Sequence, residues 1–287
     1  SPTLAISTEA KKLRESGKEV ISLGAGEPDF STPKHIKQAA IEAINNGFTG
    51  YTETVGIEAL REAITADLAK RGLDYNSEEI IVTSGAKYAL FIAQEAILEA
   101  GDEVILPAPY WVSYPEQIKS AGGKVVPVET KEENGFKMTA KEFASGISED
   151  TKAVIINSPS NPTGAVYTKE ELKEIAEVAV ENDILIISDE IYQKISYDQQ
   201  AVSIASLGEE VKERTIVIDG VSKSYAMTGW RIGYAAGPKN IIKGMGCLQS
   251  HSTSNPNSIA QKASLAALSG SQAPTEKMVT AFESRRD

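Results

Sequence analysis

The stretch TKAVIINSPSNPTGAVYTKEELKEIAEVAVENDILIISDE, residues 151–190, decides the fold class. It carries two continuous apolar runs, VIIN at 154–157 and ILIIS at 184–188, with a helical pattern between them. Strands buried on both faces have unbroken runs of this kind, whereas strands with one wet face alternate. Thr168 precedes the helical pattern and Glu171 follows three residues later, which is the signature of a capping box. The stretch therefore predicts two parallel strands joined by a helix.

The same succession of apolar run and helical pattern continues on both sides of that stretch. Residues 86–103 read as a helix closed by Gly101. A chain that alternates strands and helices is typical of an α/β domain, so we expect a mostly parallel central sheet flanked by helices. The further strand candidates are EEIIVTSG (78–85), DEVILPAP (102–109), GGKVVPVET (122–130) and RTIVIDG (214–220).

The two ends of the chain differ from this pattern. Residues 1–30 read as a helix-like segment followed by a short strand, and we expect them to form an arm. The last stretch, TEKMVTAFESRRD at 275–287, reads as an amphipathic helix without Gly, Pro or another stop signal. We therefore interpret the chain as ending within a helix.

The composition disfavours several classes of protein. The 287 residues include 29 Lys plus Arg and 40 Asp plus Glu, which gives a formal net charge of −11. A general nucleic-acid binder needs a basic footprint, so this class is disfavoured. No apolar run approaches the roughly 20 residues of a membrane span, and the N-terminus lacks the basic and apolar blocks of a signal peptide. We predict a cytoplasmic protein with no nucleic-acid partner and no membrane partner.

Cysteine and histidine are too few for the common metal and disulfide sites. Cys247 is the only cysteine, which excludes an internal disulfide and a cysteine cluster for zinc. His35 and His251 are the only histidines. We therefore predict no metal site, and we expect Cys247 to be a small buried hydrophobe.

Polar side chains follow the predicted strands, at the sheet edge where ligands of α/β proteins bind. A glycine at a helix start, a serine hydroxyl and an arginine suit a phosphate dianion. A lysine can form an imine with an aldehyde, a buried aspartate can pair with a cationic ring nitrogen, and a tryptophan can stack on a flat ring. Pyridoxal phosphate carries all of the groups that these residues could bind: a phosphate, an aldehyde, a ring nitrogen and a flat aromatic ring. The residues at these strand ends include Gly85, Trp111, Asn157, Asn161, Asp189, Tyr192, Ser222, Lys223 and Arg231.

Several motifs, in a fixed order, carry a resemblance to a known family. GVSKSYAMTGWRIGY (220–234) resembles the cofactor-attachment segment of the pyridoxal-phosphate-dependent class I/II aminotransferases. NPTG (161–164) and SDEIY (188–192) stand upstream in the order and at about the spacing that this family shows. With LGAGEPDF (23–30) and YTETVGIEALREAI (51–64), the resemblance covers essentially the whole chain. The sequence as a whole is most similar to those of the bacterial aspartate aminotransferases.

The resemblance implies a role for each matching residue. Lys223 forms an aldimine with the cofactor and later moves the proton, Asp189 pairs with the ring nitrogen, and Tyr192 bonds the ring oxygen. The positions implied to bind the cofactor are Gly85, Ala86, Trp111, Asn161, Asp189, Tyr192, Ser222, Lys223, Arg231 and, in the neighbouring subunit of a homodimer, Tyr51. The positions implied to bind the substrate are Gly26, Trp111, Asn161, Lys87 and Thr3, the last two reading a distal carboxylate.

The resemblance also implies a division into domains. Residues 1–30 would be an arm belonging to a small domain, residues 31–275 the large cofactor-binding domain of fold type I, and residues 276–287 the start of a linker helix. The C-terminal part of the small domain, which supplies an arginine for the substrate α-carboxylate, would be absent from this chain. We therefore expect the chain alone to bind cofactor weakly or to be inactive.

The implied reaction moves the amino group of L-aspartate to 2-oxoglutarate by a ping-pong mechanism. Its partners would be two small molecules, an amino acid and a 2-oxo acid, in a homodimer with a shared active site. Two alternatives stay open. One is another enzyme of the same fold, an aromatic or prephenate aminotransferase or a β-lyase. The other is an aminotransferase-like ligand-binding module of a transcription regulator, which would need a DNA-binding domain and a basic patch.

Overall fold

The structure is a computed structural model that describes residues 2–22, 24 and 26–287, with the backbone alone at 2–4 and 7. Its strands are β1 (Ile80–Thr83), β2 (Glu103–Ala108), β3 (Lys124–Glu129), β4 (Thr151–Asn157), β5 (Leu185–Asp189), β6 (Thr215–Gly220) and β7 (Gly233–Ala236). They form one seven-stranded sheet in the order β1-β7-β6-β5-β4-β2-β3. Each neighbouring pair is parallel except the two pairs that β7 makes with β1 and β6. The prediction of a mostly parallel sheet is confirmed.

Helices cover the sheet and connect its strands. Those of the described residues are α1 (Pro2–Glu15), α2 (Lys34–Asn45), α3 (Glu58–Ala69), α4 (Ala86–Ile97), α5 (Tyr114–Ser120), α6 (Ala140–Ser145), α7 (Lys169–Glu181), α8 (Glu209–Lys212), α9 (Lys239–Ser250), α10 (Ser258–Ser269) and α11 (Ala273–Arg286). The capping box of α7 is present, since the Glu171 amide donates to the Thr168 hydroxyl at 3.2 Å and the Thr168 amide donates to Glu171 Oε2 at 2.7 Å. Its buried side chains follow helical spacing: Leu172, Ile175, Ala176 and Ala179.

The sheet is buried on both faces in its centre. All six residues of β6 are buried. Ile216 and Ile218 pack into one core with Tyr114, while Val217 packs into the core of the other face with Tyr234. This burial explains the unbroken apolar run, because neither face of the strand meets water. Because side chains alternate along an extended strand, consecutive residues at a strand end point to opposite faces of the sheet.

Three local expectations differ from the structure. Helix α4 ends at Ile97 and not at Gly101, because the following turn is held by Asp102, whose Oδ2 accepts from the Glu99 amide at 2.8 Å. The expected short strand before Phe30 is wrong for the described part, since residues 16–22, 24 and 26–33 form neither helix nor strand. Cys247 is exposed on α9, so its expected burial is wrong.

Candidate active site

The carboxyl ends of several strands meet at one edge of the sheet because β1, β4, β5 and β6 run in the same direction. β4 ends at Asn157 and β5 at Asp189, and these two residues are register partners. The Asn157 side-chain amide donates to the Asp189 backbone carbonyl at 2.9 Å. β6 ends at Gly220, and Lys223 follows in the next turn. The fold therefore brings the predicted lysine and aspartate positions to the same edge.

The Asp189 carboxylate is buried, with 4% of the residue exposed. Its Oδ2 accepts from the Tyr114 hydroxyl at 2.7 Å, and its Oδ1 accepts from the Ile191 amide at 3.2 Å. Burial raises the pKa of Asp189 to about 6, an effect that the hydrogen bond from Tyr114 opposes. Among the described residues, no cation pairs with this carboxylate, so its ionised form is held by two neutral donors only.

The Lys223 amine lies at the same edge and is also partly withdrawn from water. Its Nζ donates to the backbone carbonyl of Gly26 at 2.5 Å and lies 5.7 Å from the centre of the Tyr192 ring. Burial lowers the pKa of Lys223; nearby Glu27 opposes this effect, and Arg231 adds to it. A lowered pKa leaves more of the amine unprotonated near neutral pH, which is the form that acts as a nucleophile or a base.

Tyr192 and Asn161 lie together beside this pair. Burial and the neighbouring Asp189 raise the pKa of the Tyr192 phenol, and an interaction with the Asn161 side chain opposes that rise. The Asn161 backbone amide donates to Asn157 Oδ1 at 2.7 Å, which fixes the loop after β4. The loop thus holds Asn161 against Tyr192 at the end of β5.

A cradle of polar groups surrounds the start of α4. Gly85 precedes the helix with φ +93°, and a Cβ there would overlap the Arg231 guanidinium. Gly233 of β7 passes under the same turn, where a Cβ would overlap the Ala86 amide nitrogen. The Gly85 amide donates to the Thr83 carbonyl at 2.8 Å, whereas Ala86 opens the first turn of the helix, whose amides point outward.

Arg231 and Ser222 complete that cradle. Arg231 Nη1 donates to the Thr228 carbonyl at 2.9 Å, and the rest of its exposed guanidinium faces the start of α4. Ser222 is 8% exposed, and its hydroxyl has no hydrogen-bond partner among the described residues. An arginine, a free hydroxyl and a helix N-terminus together form a chemically suitable anion site.

Trp111 and Lys87 lie on the other side of the site. Trp111 packs edge-on against Tyr114, with ring centres 5.4 Å apart. The Lys87 Nζ lies 4.7 Å from the centre of the Trp111 ring. Since Tyr114 also bonds Asp189, the indole, the phenol and the carboxylate form one continuous group.

The remaining predicted positions differ in how far the structure brings them to the site. Gly26 reaches it through its carbonyl, which accepts from Lys223. Tyr51 is 94% exposed and has no part in the site within this single chain. The side chain of Thr3 lies outside the described residues.

Sequence reasoning did not assign a role in the site to Tyr114 or Asn157. Tyr114 lies 75 positions before Asp189, on α5, and no local pattern links the two residues. Asn157 could have been identified from the sequence, because it is the polar residue that ends the apolar run of β4. Both act on Asp189, Tyr114 through the carboxylate and Asn157 through the backbone carbonyl.

The residues present fit pyridoxal phosphate. The buried Asp189 carboxylate lacks a cation among the described residues, and a protonated ring nitrogen would supply one. The unpartnered Ser222 hydroxyl, the Arg231 guanidinium and the start of α4 suit a phosphate group. The described residues contain no group of three or more His, Cys, Asp and Glu placed to hold a metal ion. None of the described helices is both long and apolar enough to cross a membrane.

Comparisons with known proteins match the chain to one enzyme family. A family model described as aminotransferase class I and II matches residues 18–287. An aspartate aminotransferase of Geobacillus stearothermophilus is 58% identical over 287 residues, which are 99% of this chain and 73% of that protein. A probable aspartate/prephenate aminotransferase of Aquifex aeolicus is 50% identical over 291 residues, covering 100% of this chain and 74% of that protein.

A solved structure gives the same result for the fold. The aspartate aminotransferase from Thermus thermophilus with maleate superimposes with a TM-score of 0.97 at 47% identity. The match covers 100% of this chain and 75% of that one.

Proposed function

The chain belongs to the aminotransferase class I and II family, and we propose that it transfers the amino group of L-aspartate to 2-oxoglutarate by a ping-pong mechanism. Membership of the family makes it a pyridoxal-phosphate-dependent aminotransferase. The observation that carries the proposal is the placement of Lys223 and the buried Asp189 at the ends of adjacent strands. The aspartate preference is supported by the names of relatives at 54–58% identity.

The cofactor supplies an electron sink that stabilises the carbanion formed when the α-proton of an amino acid leaves. We assign to Lys223 Nζ both covalent attachment of the cofactor and movement of that proton. Its lowered pKa supports the second role, because the amine must be unprotonated to accept a proton. Asp189 holds a proton on the ring nitrogen, and Tyr114 and the Ile191 amide orient its two carboxylate oxygens for this task.

The other predicted site residues take binding roles in this proposal. Tyr192 and Asn161 bond the ring oxygen and Trp111 stacks on the ring. The residues proposed to bind the phosphate are Gly85, Ala86, Ser222 and Arg231. Tyr51 is proposed to contribute to the phosphate site of a neighbouring subunit. The exposure of Tyr51, and of Ile41 and Ile44 on α2, supports a homodimer, since these side chains would otherwise meet water.

Substrate recognition is proposed for Gly26, Trp111 and Asn161. Lys87 and Thr3 are proposed to read the distal carboxylate. The position of Lys87 supports this role, because its ammonium lies at the Trp111 ring and the residue is exposed to solvent. The similar structure from Thermus thermophilus is one with maleate, a dicarboxylate of the same length as aspartate. We also retain the division into an arm at 1–30, a cofactor-binding domain at 31–275 and a linker helix from 276, and a cytoplasmic location, as proposals.

A second candidate is an aspartate/prephenate aminotransferase. Relatives with this name, from Aquifex aeolicus and Thermus thermophilus, are 50% and 47% identical to the chain. Prephenate also carries two carboxylates, so the same lysine could read both acceptors. Assaying prephenate beside 2-oxoglutarate as the amino acceptor separates the two functions.

The proposal is tested on the pyridoxal-phosphate-loaded protein with L-aspartate and L-phenylalanine as donors, followed by the cofactor absorbance and by product formation. Lys87→Met should lower kcat/KM for aspartate by roughly 10–100-fold, the loss of a hydrogen bond to a charged group, and change that for phenylalanine little. Lys243→Met, at an exposed position of α9, is the matched control. Equal losses for both donors would contradict the role of Lys87, and a higher kcat/KM for phenylalanine than for aspartate in the unsubstituted protein would contradict the proposed aspartate preference.

A further inference from the structure

A buried ionic cluster lies on the face of the sheet opposite to Asp189. Glu190 directly follows Asp189 and therefore points to the other face. Asp219 of β6 shares that face, where its Oδ2 accepts from the Tyr234 hydroxyl at 3.1 Å. Between the two carboxylates lies Arg71, from the turn after α3. We call these three residues, Arg71, Glu190 and Asp219, the Arg71 cluster.

Arg71 bridges the two carboxylates with a single nitrogen. Its Nη1 lies 3.3 Å from Glu190 Oε2 and 3.2 Å from Asp219 Oδ2, and it also donates to Gln193 Oε1. The side chains of the Arg71 cluster are 10%, 2% and 5% exposed, so water screens these ion pairs weakly. Although burial disfavours its charge, the pKa of Arg71 is raised by its neighbours Tyr234, Asp219 and Glu190.

Both carboxylates are attached closely to the proposed catalytic residues. Glu190 adjoins Asp189 in the chain, and its own amide donates to the Ile218 carbonyl of β6 at 2.8 Å. Asp219 is the penultimate residue of β6, just before the turn that carries Lys223, and its Oδ1 accepts from the Gly220 amide at 2.6 Å. The bridging cation therefore connects the ends of the two strands that carry Asp189 and Lys223.

A second cation anchors the other side of the turn that carries Lys223. Lys194 Nζ lies 2.8 Å from Asp67 Oδ1 and donates to the Tyr225 hydroxyl at 2.9 Å. Tyr225 comes two residues after Lys223, and its hydroxyl donates to Gln272 Oε1 at 2.8 Å. The segment from Asp219 to Tyr225 is thus held on both sides of the lysine by polar contacts, which are buried at Asp219 and partly buried at Tyr225.

We propose that Arg71 is a positioning residue, which fixes Asp189 relative to Lys223 by clamping the ends of β5 and β6 from the opposite face of the sheet. The inference rests on the proposed roles of Asp189 and Lys223. A positioning role differs from simple stabilisation of the fold, because its loss should affect the two strand ends and the bound cofactor more than the rest of the molecule.

The test compares four variants of the whole chain. Arg71→Met removes the charge and keeps much of the volume, and Arg71→Lys keeps the charge. The double variant Arg71→Met with Asp219→Asn removes the cation together with one of its carboxylates, so the fold carries less unpaired buried charge. Lys137→Met is the matched control, since it breaks a partly buried ion pair with Glu171 at 2.6 Å, at the start of α7.

Three measurements are made: pyridoxal phosphate affinity, circular dichroism of the bound cofactor, and hydrogen exchange of the cofactor-free protein at 188–193 and 219–224. Arg71→Met should weaken binding by about tenfold or more, equivalent to one lost charged hydrogen bond, and reduce the dichroism. Exchange should rise at the two strand ends and not at α7. Arg71→Lys should recover most of the affinity, and the Lys137→Met control should leave all three near the original protein.

Several results would overturn the inference. One is an Arg71→Met variant with unchanged affinity and exchange, and another is an Arg71→Lys variant as impaired as Arg71→Met. If Arg71→Met fails to fold, the double variant decides: weak binding supports positioning, and full recovery shows that the unpaired charge alone was harmful. Exchange is read without cofactor, so this test stands even if the proposed substrates are wrong, while the donor assays test the proposed function separately.

Discussion

Replacing Asp189 with asparagine is expected to change how the stability of the cofactor-free protein depends on pH. Asp189 is almost fully buried, and burial raises its pKa from 3.8 to about 6. A carboxyl group with a raised pKa in the folded state contributes its full stability below the unfolded pKa. That contribution is lost as the pH rises through the folded pKa.

The magnitude follows from the size of the shift. A rise from 3.8 to about 6 corresponds to about 3 kcal/mol of destabilisation once the pH lies well above 6. Between about pH 4.5 and about pH 8, roughly 2 kcal/mol of this change falls within the measurable range. Asparagine cannot ionise, so the Asp189→Asn variant lacks this pH-dependent loss, while its amide oxygen can still accept from Tyr114.

The assay is denaturant unfolding of both proteins without cofactor, at constant ionic strength and several pH values. The free energy of unfolding of Asp189→Asn, relative to the original protein, should increase with pH by about 2 kcal/mol across that range. Asp74→Asn, at an exposed position, is the matched control and should show no such trend. A difference that stays constant with pH would refute the reasoning that Asp189 is ionised at a cost in the cofactor-free protein.

With the cofactor bound, we expect Asp189→Asn to be the impaired protein, and not the original one. A carboxylate in contact with a cation at an effective dielectric near 20 interacts by roughly 5 kcal/mol, or about 4 pK units before desolvation is subtracted. Asp189→Asn loses this interaction, so its turnover should fall by at least about 1000-fold while the protein stays folded. Near-normal turnover would contradict the role of Asp189.

Three further variants test the other parts of the site. Lys223→Ala should retain no cofactor after borohydride reduction, measured by mass spectrometry, and retention on another lysine would contradict the assignment. Gly85→Ala should weaken pyridoxal phosphate binding by about tenfold, because its φ of +93° costs about 1–2 kcal/mol and its Cβ displaces Arg231; equilibrium titration measures this, and unchanged affinity would argue against the cradle. Tyr192→Phe removes a phenol that interacts with Asn161 and should lower cofactor affinity by roughly 2–10-fold, the range for one neutral hydrogen bond, with little change in thermal unfolding of the cofactor-free protein.

The sheet was predictable because burial on both faces imposes a visible pattern. β4, β5 and β6 lie in the centre of the sheet, and each carries an unbroken apolar run. β7 was not predicted, because its sequence GYAA contains small residues and no β-branched run. Its glycine is needed where the strand passes beneath the start of α4, and such a close approach leaves no periodic signal.

The candidate site was predictable where the strand ends mark it and not where distant elements complete it. Asp189 directly follows an apolar run, and Asn161 and Lys223 come within a few residues of such runs. The fold does bring these positions to one edge. Tyr114 contacts Asp189 from a helix with no sequence signal for that contact. Cys247 shows a different limit: cysteine is often buried, but its helix position decides the outcome, and here it faces solvent.

The two proposed catalytic groups are both placed where the fold disfavours their charge. Burial raises the pKa of Asp189 and lowers the pKa of Lys223, so each group is less ionised than it would be in water. In the proposed site, a cationic ring nitrogen would relieve the first cost, and covalent attachment at Lys223 would remove the free amine. Ligands that bind the folded state alone stabilise it by mass action. On this proposal, cofactor binding would offset part of the cost of burying these two groups, so their unfavourable burial is compatible with a role in the reaction.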